Sequence, residues 1–151
     1  YGFIEAIFVS GMIIGGLIMT FKPNFFGMKK LHKTMYPMVI SIIIMGISTY
    51  MNTENKSFVL ALYSLGGFGI MLSLALSNII FLTHIQQEVK EDMLGKVSAF
   101  STAVATVSVT PGQLIYGQLL ELNFNLFNIL ILTTIFSIGV VSFIKWNVRK
   151  I

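Results

Sequence analysis

Residues 86–96, Gln-Gln-Glu-Val-Lys-Glu-Asp-Met-Leu-Gly-Lys, are the densest run of charge in this chain. They separate two apolar runs, at about 58–82 and 97–120. At about 1.5 Å per residue, each run is long enough to cross a bilayer hydrocarbon core of about 30 Å as a helix. A polar connector between two such runs reads as a loop carrying the chain from one membrane helix to the next. Counting outward from it places five membrane-spanning segments, at about 3–21, 35–51, 57–83, 97–120 and 126–144.

Composition agrees with that reading. Only 11% of the 151 residues are charged and 55% are hydrophobic, whereas a soluble domain carries about 25% charged residues. A soluble chain this apolar would expose large sticky patches. The expected class is an all-α integral membrane protein. The net charge of +4 does not point to nucleic acid, because the basic residues sit at the ends of apolar runs, where membrane topology needs them. With no cysteine, disulfides and thiolate chemistry are excluded.

The segment ends carry local signals. Lys22-Pro23-Asn24 closes the first, because proline cannot continue the helix ladder. Residues 52–56 form a polar turn, as do residues 121–125. The third segment is long enough to predict tilt, or a bend near Gly66-Gly67-Phe68-Gly69. Topology follows from Lys and Arg in the short loops. Loop 22–33 holds four lysines, loop 84–96 two and the tail after Ile144 three basic residues, while the intervening loops hold only Lys56. Five crossings put the three basic regions on one side. The C-terminus is expected in the cytoplasm and Tyr1 near the outer face of a cell membrane. Five helices starting outside also predict further helices ahead of Tyr1.

The fourth segment has the most polar face. Ser98, Thr102, Thr106 and Thr110 recur every four residues and continue toward Gln113 and Gly117, beside a row of Ser101, Ala105, Ser108 and Gly112. Such rows either let helices pack closely or line a watery cavity. Pro111 and Gly112 predict a kink in mid-membrane and are hinge candidates. The third segment offers Ser73, Ser77 and Asn78, with His84 at its end. Serines often bond back to their own helix, whereas Asn78 needs a partner if buried. In the first segment, Gly2, Ala6 and Ser10 form one row and Gly11 and Gly15 the next, spacings that favour close helix contact. Glu5 is the one acid clearly inside an apolar run. It is a candidate charge partner for substrate or proton, or a residue near the outer end reaching water.

No zinc-binding H-E-x-x-H, nucleophile elbow or phosphate-cradling glycine loop occurs. No enzyme activity, metal or cofactor is expected.

At the central connector the sequence resembles the major facilitator superfamily, in particular its bacterial drug and macrolide efflux branch. Gln86, Val89, Asp92, Gly95 and Val97 match that branch's connector between its tenth and eleventh helices, with Lys90 in place of a proline and Lys96 in place of an arginine. Thr110-Pro111-Gly112 with Gly117 is similar to the family's eleventh helix. Gly15-Gly16-Leu17 and Gly27-Met28-Lys29-Lys30 are similar to the stretch around its basic loop between helices eight and nine, without that loop's acidic residue. The resemblance implies that this chain is helices eight to twelve of a C-terminal six-helix bundle, a fragment whose partner is the missing N-terminal half of the same chain.

It further implies a bacterial secondary transporter, a proton-coupled exporter of amphipathic small molecules by alternating access. The first, third and fourth segments would then line the substrate path. Glu5, Ser73, Ser77, Asn78, Thr102, Thr106 and Gln113 are the cavity candidates, and Gly95 and Lys96 the loop elements that couple helix movements. The alternative is a non-transporting membrane subunit that docks another protein through its small-residue faces.

Overall fold

The computed structural model describes residues 2–21, 27–51 and 56–148. The expected stop at 22–24, most of the turn at 52–56 and the basic residues at 149–150 lie outside the described residues. Six helices follow one another: α1 (Gly2–Phe21), α2 (Leu31–Thr34) after a 3-10 turn at Met28–Lys30, α3 (Tyr36–Tyr50), α4 (Lys56–Glu88), α5 (Glu91–Glu121) and α6 (Leu126–Val148). No strand occurs among the described residues. Five spans are long and apolar enough to cross a membrane, with Met28–Tyr50 counting as one. That pattern marks a multi-pass membrane protein.

Glycine decides how the helices approach. A Cβ on Gly15 would lie 2.8 Å from the Ala75 Cβ and 3.1 Å from the Leu72 carbonyl oxygen, and one on Gly11 would run into the Phe68 carbonyl. Gly67 gives its space to the Phe8 ring. Pairing of 11 with 68 and of 15 with 72 and 75 makes α1 and α4 run parallel. On the other side of α4, Gly66 and Gly69 receive Met45 and Ser41 of α3, while Thr34 of α2 meets Ser73 and Ser77. There the chain runs antiparallel to α4. Gly66, Gly67 and Gly69, near which tilt or a bend is expected, are places where both neighbours come close, and α4 is continuous through them. Outside α3 lies α6, antiparallel to it, with the Tyr50 and Phe127 rings 5.2 Å apart. The order across the bundle is therefore α1, α4, α3, α6.

This arrangement brings the ends of α1, α4 and α6 together with the start of α2. A buried cluster of Met19, Leu31, Leu76 and Ile80, with Ile144 packed against it, closes that end. The described lysine-bearing stretches 27–33 and 84–96 and Lys145 all lie toward that end, and Lys56 starts α4 at the opposite end.

Two connectors differ from expectation. The charged stretch 84–96 is not a loop: α4 continues to Glu88, α5 starts at Glu91, and only Val89 and Lys90 lie between. Gln, Glu, Lys, Met and Leu are good helix formers. The break comes where Lys90 turns extended (φ −60°, ψ 145°). Glu91 and Asp92 then occupy the first turn of α5, where acidic side chains favour the helix dipole. Loop 22–33 also shortens, because helix begins at Met28 and is interrupted at Met35. Pro37 lies in the first turn of α3; without an N–H it can begin a helix but not continue one.

The turn from α5 to α6 rests on two asparagines. Asn123 is left-handed (φ 56°), and the Phe124 and Asn123 amides return to the Leu119 and Leu120 carbonyls at 3.2 and 3.1 Å. That pattern is a Schellman C-cap. Asn125 then caps α6, its Oδ1 accepting the Phe127 amide at 3.1 Å. We expect Asn123→Val to cost about 1–2 kcal/mol, because a β-branched residue resists the left-handed well. Asn125→Ala should cost about 1 kcal/mol, and Asn123→Gly nearly nothing. Thermal unfolding in detergent checks the order, and equal effects of Val and Gly at 123 would contradict the capping account.

Candidate functional site

Helix α5 stands apart from this bundle. None of its residues is buried, whereas each of the other four spans contributes buried positions. Its half-buried residues are Leu94, Val97, Ser98, Ser101, Gly112 and Leu119, a stripe at helical spacing that faces the other helices. Thr102, Thr106, Thr110, Gln113 and Gly117 are all exposed and lie off that stripe. A Cβ added at Gly95, Gly112 or Gly117 would meet nothing within 4 Å, the reverse of the glycines along α1 and α4. The glycines of α5 are therefore not used for close helix packing among the described residues.

Three hydroxyls of α5 are satisfied locally. Thr102 donates to the Ser98 carbonyl at 2.9 Å, Thr106 to Thr102 at 3.0 Å and Ser108 to Val104 at 2.7 Å. Back-bonded threonine is cheap to place against lipid. Gln113 is not, because an amide in hydrocarbon costs several kcal/mol, roughly 4–8 on the driest scale, unless it finds a partner. Helix α5 continues through Pro111.

A cavity of about 350 Å³ opens between α3, α4, α5 and α6, with Met38, Ile42, Ile70, Leu120 and Ile129 in its apolar walls. At its edge Tyr116 of α5 meets Thr133 of α6 at 2.7 Å. The Thr133 hydroxyl already donates its proton to the Ile129 carbonyl at 2.8 Å, so Tyr116 is the donor. A second recess, of about 450 Å³, adjoins it at the Lys56 end beside Ser48, Thr49, Lys56 and Tyr63, with Leu126 lining both.

The other candidates fall in three places. Ser73 is fully buried and donates to the Thr34 carbonyl. Ser77 donates to the Thr34 hydroxyl at 3.0 Å, since that hydroxyl gives its own proton to Leu31 at 2.8 Å. These two serines tie α4 to the interrupted span, and only Ser77 is partly open. Asn78 is exposed on the same helix, and Glu5 is exposed in the first turn of α1. Gly95 and Lys96 are exposed within the second turn of α5, not in a loop.

The candidates do not converge on one chamber. Thr102, Thr106, Pro111 and Gln113 share α5, while Ser73 and Ser77 belong to the α2–α4 contact. Sequence reasoning missed Thr34, Tyr116 and Thr133; a threonine three residues before Pro37 was the one available sign, and nothing marked the other two.

Among the described residues, no three His, Asp or Glu side chains gather where they could hold a metal ion. The region around α5 offers apolar volume, hydroxyls and an amide. That chemistry suits an amphipathic molecule or another helix. No protein-family model, no curated protein and no solved structure matches this chain.

Proposed function

We propose that this chain is a membrane-spanning part of a secondary transporter of the major facilitator type, working as one half of a two-bundle permease. The observation that carries the reading is the uncovered, polar-bearing face of α5 beside a firmly packed remainder. A transporter needs such a surface, since one helical half must face a substrate path while the rest stays rigid. The exposed amides of Asn78 and Gln113 are costly against lipid, and a watery path would relieve that cost. The apolar cavity beside Tyr116 suits bulky, poorly hydrated compounds, and export in exchange for protons is the proposed direction. The lysine-rich end faces the cytoplasm of a bacterial cell membrane in this reading, as the positive-inside rule requires.

The same open glycines of α5 favour one other reading, a non-transporting subunit that docks a partner helix. Thr106→Leu and Asn78→Leu separate the two. If the chain transports, dye efflux from cells carrying the intact protein should fall about five- to thirtyfold, the range for losing one or two kcal/mol of contact. The amount inserted in the membrane should stay constant. Unchanged efflux together with loss of a co-purifying membrane protein would reverse the assignment in favour of docking.

A further inference from the structure

The lysine-rich end of the bundle holds a feature that the transport reading does not use. Between α3 and α6 lies a narrow groove of about 110 Å³, lined by Tyr36, Val39, Ile138, Val141, Ser142 and Lys145. The two helices are antiparallel, so the groove has a direction. Val39 and Val141 are buried in its floor, and Tyr36 and Lys145 stand toward the end where α6 finishes. From Ile138 to Lys145 is seven residues, about 10 Å along the axis. The groove is thus apolar below and cationic with a phenol at its mouth. It opens outward, for Tyr36, Ile138, Ser142 and Lys145 are all exposed.

Further positive charge gathers around that mouth. The 3-10 turn at Met28–Lys30 and α2 both pack on α6, which brings Lys29, Lys30 and Lys33 to the same end. The acids at this end, Glu88, Glu91 and Asp92, belong to the α4–α5 connection, and none lines the groove.

We propose that this groove is a binding site for an anionic phospholipid, with an acyl chain along Val39, Ile138 and Val141 and the acidic phosphate at Lys145 and the Tyr36 hydroxyl. Two features favour this occupant. The groove lies between two helices long and apolar enough to span a membrane and opens outward, where bilayer lipid would lie. Its mouth also carries cations at the depth where headgroups sit, and basic pockets between membrane helices take acidic headgroups. A zwitterionic lipid would fill the slot equally well but bring no net charge to Lys145. The inference needs only a membrane-spanning chain and stands whether or not the chain transports anything.

The sequence supplies its own reporter, because Trp146 is the one tryptophan and directly follows Lys145. The intact protein is reconstituted in vesicles of phosphatidylcholine mixed with brominated phosphatidylglycerol, and separately with brominated phosphatidylcholine as the quencher. Trp146 fluorescence then gives the relative occupancy of the two lipids. We expect phosphatidylglycerol to be preferred about fivefold, the value of about 1 kcal/mol for one lysine near an anionic surface. Lys145→Gln should bring the preference close to one, and Ser142→Phe, which fills the slot, should lower quenching by either lipid. Lys56→Gln, at the opposite end, should change neither. Equal quenching by both lipids in the unmodified protein overturns the proposal. So does a preference that survives Lys145→Gln, because it would then belong to the basic surface as a whole.

Discussion

Gly11→Leu should unseat α1 from α4 and lower the melting temperature by about 4–12 °C. The figure rests on an overpacking cost of about 2–3 kcal/mol and a slope of about 2–4 °C per kcal/mol for a chain of this size. The nearest atom to a new Cβ at Gly11 is the Phe68 carbonyl oxygen, which cannot rotate away as a side chain could. The two helices must separate instead, loosening Gly15 against Ala75 and Met19 in its buried cluster. Leucine also raises helix propensity by roughly 0.8–1 kcal/mol over glycine, too little to offset the clash. Gly16→Leu is the matched control. A Cβ there meets nothing within 4 Å, so only the propensity gain remains and the melting temperature should hold or rise. Thermal unfolding by size-exclusion chromatography in detergent checks both, and equal behaviour at 11 and 16 would refute the α1–α4 seam.

A second large effect is expected at Ser73, where two terms can be separated. Ser73→Ala removes the hydrogen bond to the Thr34 carbonyl. Polar contacts between membrane helices are worth about 0.6 kcal/mol on average and about 1.7 at most. Ser73→Leu removes the same bond and also forces a larger side chain into a fully buried position, adding about 1–3 kcal/mol of overpacking. Leucine should therefore be the worse substitution, although it is the more apolar residue and the site lies within a membrane-spanning helix. If leucine were tolerated better than alanine, the site would be loosely packed and the link between α4 and the interrupted span would be incidental. A double-mutant cycle with Ser77→Ala measures how far the two bonds to Thr34 act together.

Much of the architecture could be read from the chain because the bilayer imposes a coarse, strong rule. Runs such as 58–82 and 97–120 had to be helices, and the lysines grouped themselves in alternate connectors. Gly11 and Gly15 were readable for the same reason, since a four-residue spacing of glycines means close approach in a helix. The connector 84–96 departs from the loop expectation because charge by itself does not end a helix. Gln86, Glu88, Glu91 and Lys96 are polar yet helix-favouring, so the helices simply extend beyond the hydrocarbon. At 33 and 31 residues, α4 and α5 span about 50 and 46 Å at about 1.5 Å per residue, well over the roughly 30 Å of a bilayer core.

The site was less legible, for a different reason. A serine in a membrane helix usually bonds to its own backbone, as Ser10, Ser48 and Ser64 do. Nothing local distinguishes these from Ser73 and Ser77, whose bonds depend on Thr34 lying some forty residues earlier in the chain. The polar face of α5 was evident from its spacing, but whether a neighbour covers it depends on the other helices.

The isolation of α5 bears on how such a protein can change over generations. Substitutions at Thr102, Thr106 or Gln113 alter a surface on which no buried side chain depends, so they leave the seams around α4 intact. Stability and the chemistry of the open surface are then carried by different helices, and drift along α5 can change that surface without passing through unfolded intermediates. The glycines beneath Phe8, Phe68 and Ser41 have no such freedom. In a set of descendants, sequence diversity should concentrate on α5 and be scarcest along the α1–α4 contact.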